Sequence, residues 1–185
     1  MTAIVDVLTS GYADERVASS VVLVRENDAV IVIDPGMVAN RRLILDPLHE
    51  LGLLVGDVTD VIFSHHHPDH TLNAALFVNA RFHDVWATYV DDEWGDRTDV
   101  IDGAPSVSLL DTPGHTHEDI STLVSTVEGL VVCTHLWWSS VGPEVDPRAV
   151  DQSLLEQSRA LVLALNPIMI IPGHGPAFAP GELHH

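Results

Sequence analysis

Four short apolar runs in this sequence each lead into a segment that carries histidine: Asp60-Val-Ile-Phe63, Ser106-Val-Ser-Leu-Leu110, Gly129-Leu-Val-Val-Cys-Thr134 and Ile168-Met-Ile-Ile171. The first leads into His65-His-His-Pro-Asp-His70, the second into Asp111-Thr-Pro-Gly-His115, the third into His135 and the fourth into Pro172-Gly-His-Gly-Pro176. This rhythm limits the admissible folds, because side chains at four strand ends can act together only where those ends meet. The first segment is the densest. His65, His67, Asp69 and His70 put four potential ligands into six positions, and their spacing lets imidazoles and a carboxylate turn toward a shared centre. A solvated histidine-rich loop fits less well, since the string is internal, follows a strand and holds an aspartate at a ligand position.

Around these ends the pattern predicts two packed sheets with helices outside. Val21-Val-Leu-Val24 and Ala29-Val-Ile-Val-Ile33 flank the turn residues Asn27-Asp28 and read as a hairpin, which Asp34-Pro-Gly36 terminates. From Arg41 to Leu54, leucines at three-to-four-residue spacing predict an amphipathic helix. A helix is expected from Thr71 to Asn79 behind the ligand string, and another from Pro147 to Leu165, with proline at its start. Ser121-Thr-Leu-Val-Ser125 and the run from Gly129 form a second hairpin. The segment Ala87 to Asp102 is expected to be a short, variable rim loop that leaves the cleft open. No fixed-period repeat, linker or low-complexity tract is visible, so one domain over residues 1–185 is expected.

Composition excludes several roles. There is no lysine, and 27 acidic residues against eight arginines give a formal charge of −19. A surface so negative repels polyanions, which makes nucleic acid an unfavourable partner and a small molecule the expected one. No run reaches the roughly 18 apolar residues of a membrane span, and the N-terminus has no basic flank or long apolar segment, so a cytoplasmic location is expected. Cys133, the one cysteine, lies in an apolar run and reads as a buried structural thiol. Nothing here depends on the terminal Glu182-Leu-His-His185.

Taken in order, Ile33-Asp-Pro-Gly36, the His-x-His-x-Asp-His string, Asp111-Thr-Pro-Gly-His115 and Pro172-Gly-His-Gly175 resemble the metallo-beta-lactamase superfamily over nearly the whole chain. The C-terminal Ile171-Pro-Gly-His-Gly-Pro-Ala-Phe178 and the compact length are similar to its metallo-beta-lactamase domain-containing protein 1 group. The resemblance implies an α/β (α+β) fold, an αββα four-layer sandwich of two mixed sheets flanked by helices. It also implies a zinc site, with His65, His67 and His115 on one ion and Asp69, His70 and His174 on a second. Asp69 would be the catalytic residue that orients a water; Asp34 would support the ligand loop from outside. The imidazole-rich donor set itself suits zinc, iron or manganese.

His135 departs from the pattern. The family usually has an aspartate there, preceded by glycine, which spans both metals; this chain has Thr134-His135. A neutral imidazole has one lone pair per ligating nitrogen, so His135 could ligate one metal and could not bridge two. One or two ions per chain are thus compatible with the sequence. The expected activity is metal-dependent hydrolysis of an ester, thioester, lactone or related small substrate. Alternatives are a mononuclear or dinuclear iron redox enzyme, a phosphodiesterase or nuclease, a β-lactamase, or a degenerate metal-binding member. Trp137 and Trp138 read equally as a cleft wall or as core, and His66 and His117 as neighbours of the ligands.

Overall fold

The computed structural model describes residues 2–183; the terminal His184 and His185 lie outside the described residues. Strand β1 (Ile4–Thr9) and a short hairpin of β2 (Tyr12–Ala13) and β3 (Val17–Ala18) precede β4 (Val21–Glu26) and β5 (Ala29–Ile33). The last two are the expected hairpin. Glu26 pairs with Ala29, and Asn27 in the two-residue turn has φ of 51°, a left-handed conformation that asparagine tolerates. After them come α1 (Arg42–Glu50), β6 (Asp60–Ile62), the one-turn α2 (Pro68–Thr71), β7 (Arg81–His83), β8 (Ala87–Val90) and β9 (Glu93–Asp96). The second half contains β10 (Val100–Ile101), β11 (Ala104–Asp111), β12 (Ile120–Ser125), β13 (Leu130–Thr134), α3 (Gln152–Ala164) and β14 (Met169–Pro172).

These strands form a seven-stranded sheet, β1-β4-β5-β6-β7-β8-β9, and a five-stranded sheet, β10-β11-β12-β13-β14. Both are mixed: β6 runs parallel to β5 and β7, and β14 parallel to β13. Period-two alternation sends Val22, Val24, Ile31 and Ile33 of the first sheet against Val107, Val124, Val131 and Ile171 of the second. The opposite faces are also apolar. Val21, Leu23 and Val32 pack on Ile44 and Leu48 of α1, whereas Val132 and Ile170 pack on Leu155 and Val162 of α3. Sheets buried on both faces explain the nearly continuous apolar runs in the sequence, and each fully buried aliphatic side chain contributes about 1.5–3 kcal/mol. The four-layer αββα sandwich is the fold the sequence implied.

Four expected segments differ. The helix expected over residues 41–54 ends at Glu50, because Gly52 takes φ of 77° and closes a Schellman turn: Gly52 N–H donates to the carbonyl of His49 and Leu53 N–H to that of Leu48. No helix fills residues 71–79. Only α2 and a 3-10 turn at Ala74–Leu76 form, since Asn73 ties the chain to the Pro35 and Gly36 carbonyls and to Arg41. The last helix starts at Gln152, capped by the Asp151 side chain, and leaves Pro147 in a loop. The segment 87–102 is not a rim loop either; it supplies β8, β9 and β10.

Candidate metal centre

Parallel pairing brings the C-terminal ends of β5 and β6 side by side, and likewise those of β13 and β14. Asp34 follows β5 and Ser64 follows β6; His135 follows β13 and His174 follows β14. The two sheets are joined at this end, where Ile120 N–H donates to the Ser64 carbonyl and Ser20 N–H to that of Gly173. Gly36 is required by a close approach: a Cβ there would collide with the Asp69 carbonyl, so the turn after β5 can lie directly against the ligand string.

All seven residues singled out in the sequence meet at this junction. Candidate ligand atoms of His65, His67 and His115 lie within 4.8 Å of one another, as do those of Asp69, His70 and His174. His67 Nδ1 is 3.0 Å from His65 Nε2 and 3.1 Å from His115 Nε2. In the second trio, Asp69 Oδ2 is 3.6 Å from Nε2 of both His70 and His174.

Hydrogen bonds on the far side of each ring assign the tautomers. The Asp34 carboxylate accepts from Ser64 N–H (2.7 Å), Ser64 Oγ–H (2.7 Å) and His70 Nδ1–H (2.9 Å). With its proton committed to Asp34, Ser64 Oγ accepts from His65 Nδ1–H at 2.9 Å. His115 Nδ1–H donates to Asp146 at 2.7 Å, and His174 Nδ1–H to the Ala18 carbonyl at 2.9 Å. Each of these four rings therefore turns a bare Nε2 inward.

That arrangement fits a bound cation. His65 and His115 both aim lone pairs at His67 Nδ1, whose single proton could satisfy only one of them. His70 Nε2 is buried without a hydrogen-bond partner. The 3.0 and 3.1 Å separations are near the edge, about 3.3 Å, of a tetrahedron with zinc–nitrogen distances of roughly 2.0 Å. Burial, reinforced by the neighbouring imidazoles, holds His65 and His135 well below the ordinary histidine pKa, and burial also lowers His67 and His174. Neutral rings are what ligation needs.

His135 points inward. Its Nε2 is 3.0 Å from His174 Nε2, its Nδ1 is buried without a partner, and its ring centroid lies 4.1–4.9 Å from those of His65, His70, His115 and His174. It stands between the trios, and it belongs both to a candidate group with His65 and His70 and to one with His115 and Asp146. Gly173 makes room for it, because a Cβ there would strike the imidazole. His66 turns away to pair with Asp84 and stack on Trp86, while His117 is exposed. The tryptophans divide: Trp137 is buried among core residues, whereas Trp138 lines the cleft edge-on to His174.

Sequence reasoning missed Ser64, Asp146, Gly173, Arg16 and Arg148. Asp146 lies 31 residues beyond His115, in a loop without a motif, so no spacing signal marks it. Burial works to raise its pKa, but hydrogen bonds from His115 and the Arg148 backbone hold the carboxyl below its usual value. Asp119 fixes the His115 loop by accepting from Thr116 N–H and Oγ–H, and burial pushes its pKa up to about 6. Cys133 is buried and its thiol pKa raised, in keeping with a structural role. A cleft of about 330 Å³ opens over the histidines; Met37, Val17 and Trp138 supply apolar wall, and Arg16 and Arg148 lie on its rim.

The family model of the metallo-beta-lactamase superfamily matches residues 14–179. The metallo-beta-lactamase domain-containing protein 1 of Xenopus laevis is 32% identical over 189 residues, covering 94% of this chain and 80% of that protein. The human protein of the same name is 33% identical, with 80% of this chain and 59% of that protein covered. Among solved structures, an N-acyl homoserine lactone lactonase superposes with a TM-score of 0.68 at 20% identity, covering 94% of this chain and 93% of that one.

Proposed function

This chain belongs to the metallo-beta-lactamase superfamily, and from that premise we propose that it is a zinc-dependent hydrolase of small esters, thioesters or lactones. The observation that carries the reading is the pair of ligand trios whose inward nitrogens are stripped of protons by Ser64, Asp34, Asp146 and the Ala18 carbonyl. His65, His67 and His115 would hold one ion; Asp69, His70 and His174 would hold the other, and His135 would add one lone pair to one of them.

Divalent zinc supplies acidification of a bound water and polarisation of the scissile carbonyl. The protein's own part is orientation. Asp69 turns Oδ2 toward His70 and His174, and its Oδ1 would accept a hydrogen bond from a nucleophilic water and orient it. Trp138, fixed by donation from Nε1 to Asp146 at 3.1 Å, offers a flat face to the substrate's apolar part. The likeness in fold to an N-acyl homoserine lactone lactonase supports including lactones. With an acidic surface, the proposed partner is a small molecule and not nucleic acid.

Elemental analysis for zinc, iron and manganese, combined with a panel of chromogenic esters, thioesters and lactones, tests this reading. Two zinc ions per chain with metal-dependent turnover are expected. About one iron, with colour and no hydrolysis, would replace it with an iron redox enzyme, the alternative that the imidazole of His135 favours. Metal content clearly below one ion per chain after metal-supplemented expression would overturn both.

A further inference from the structure

Five of the eight arginines use their guanidinium groups within the fold. Arg25, Arg81 and Arg97 pair with carboxylates, Arg41 donates to Asn73, and Arg159 donates to the Leu136 and Glu144 carbonyls. Among the described residues, only the guanidinium groups of Arg16, Arg42 and Arg148 make no hydrogen bond or ion pair. Two of those three lie on the rim of the histidine-floored cleft. With 27 acidic residues in the chain, carboxylate partners are abundant, so two unpaired cations lining one cleft stand out. Elsewhere, the arginines that line clefts are occupied: Arg97 by Asp99 and Asp111, Arg81 by Asp60 and Asp102.

The two come from opposite halves of the chain. Arg16 sits in the turn between β2 and β3, and Arg148 in the loop that carries Asp146 toward α3. Asp14 and Asp69 also line the cleft without pairing with either guanidinium: Asp14 Oδ1 accepts from Arg16 N–H at 2.9 Å, and Asp69 faces the histidines. Free guanidinium groups present forked donors that match an oxyanion in two-bond geometry.

Resting on the hydrolase reading, we propose that Arg16 and Arg148 are specificity-determining residues that bind a carboxylate or phosphate group on the substrate, at a distance from the bond that is cut. The cleft then accepts a small molecule with an apolar middle, held by Met37, Val17 and Trp138, and an anionic end. A polyanion is disfavoured, because two rim cations are set against a formal charge of −19 on the chain as a whole.

Hydrolysis of 4-nitrophenyl valerate is compared with that of mono-4-nitrophenyl glutarate, which has the same chain length and a terminal carboxylate. The metal-loaded protein should favour the glutarate ester at low salt. The preference ratio in kcat/KM should fall roughly tenfold in the Arg16→Ala/Arg148→Ala double variant, recover partly in Arg16→Lys/Arg148→Lys, and stay unchanged in Arg42→Ala, whose free guanidinium lies outside the cleft. Calorimetric binding of glutarate and of inorganic phosphate to the metal-loaded protein distinguishes the anion sources. Arginine-dependent binding of either without hydrolysis of any ester would keep this assignment and sink the hydrolase reading. Hydrolysis of both esters with a ratio that the double variant leaves untouched would overturn the assignment and keep the hydrolase. Tighter arginine-dependent binding of a single-stranded RNA oligonucleotide would overturn it in favour of a polyanion.

Discussion

Asp34→Asn tests the hydrogen-bond logic of the centre with almost no change of shape. Asp34 is buried, and its carboxylate accepts three hydrogen bonds, of 2.7, 2.7 and 2.9 Å. Its φ of 51° is one that asparagine adopts readily, so the backbone has no reason to move. If the new amide oxygen keeps the Ser64 N–H, the amide nitrogen must face Ser64 Oγ and His70 Nδ1. His70 then has to accept at Nδ1 and carry its proton on Nε2, which removes the inward lone pair. Ser64 Oγ, now accepting a hydrogen bond from the amide N–H, is free to donate its own proton to a hydrogen bond with His65 Nδ1, and that ring changes tautomer as well. One isosteric change thus disables a nitrogen in each trio. Loss of such an outer partner lowers metal affinity by roughly 10- to 100-fold, or about 1.4–2.8 kcal/mol, and two affected rings place the expectation at the upper end. Titration of zinc against a chromogenic chelator measures the affinity, and long-range nitrogen–proton correlation spectra of the imidazoles report the tautomers. Wild-type affinity within twofold, with His70 still protonated at Nδ1, would refute the reasoning.

Three further outcomes are expected. Metal-free protein should lose stability as pH falls below about 6.5: the folded state keeps His65 and His135 neutral while the unfolded chain protonates them, so the unfolded state binds more protons, and the slope should approach about 2.7 kcal/mol per pH unit for the two rings together. Urea unfolding from pH 7.5 to 5 measures it, and a flat profile below pH 6.5 would contradict the assigned neutrality. Gly173→Ala should cost about 1–3 kcal/mol by driving a methyl into the His135 ring, and His135→Asp should relieve much of that cost, because an aspartate side chain is smaller. Additive effects in thermal unfolding of the two single variants and the double variant would rule out the contact. Asp146→Ala should release both His115 and the Trp138 indole, lowering zinc affinity roughly 10- to 100-fold together with a shift in tryptophan emission; a shift in emission alone would limit Asp146 to holding the indole.

The sequence carried the layers and the positions of the chemistry, because both are local signals. Alternation over Val21 to Ile33 marks a hairpin whatever surrounds it, and a histidine placed just after an apolar run stays at the strand's end in any fold that keeps the strand. Helix limits were less legible. Gly52 stops α1 through a left-handed turn, and Asn73 prevents a helix behind the ligand string through contacts with residues more than 30 positions away. Tertiary contact alone decided which nitrogen of each imidazole faces inward. Ser64 holds His65, Asp146 holds His115 and the Ala18 carbonyl holds His174, and two of these partners lie 31 and 156 positions away along the chain. It also decided that His135 fits, since only the packing of two parallel strand ends puts Gly173 against its ring. The sequence by itself determined which groups could act and at which strand ends they sit; the fold determined their protonation, orientation and the free cations beside them, because those depend on partners that chain order does not reveal.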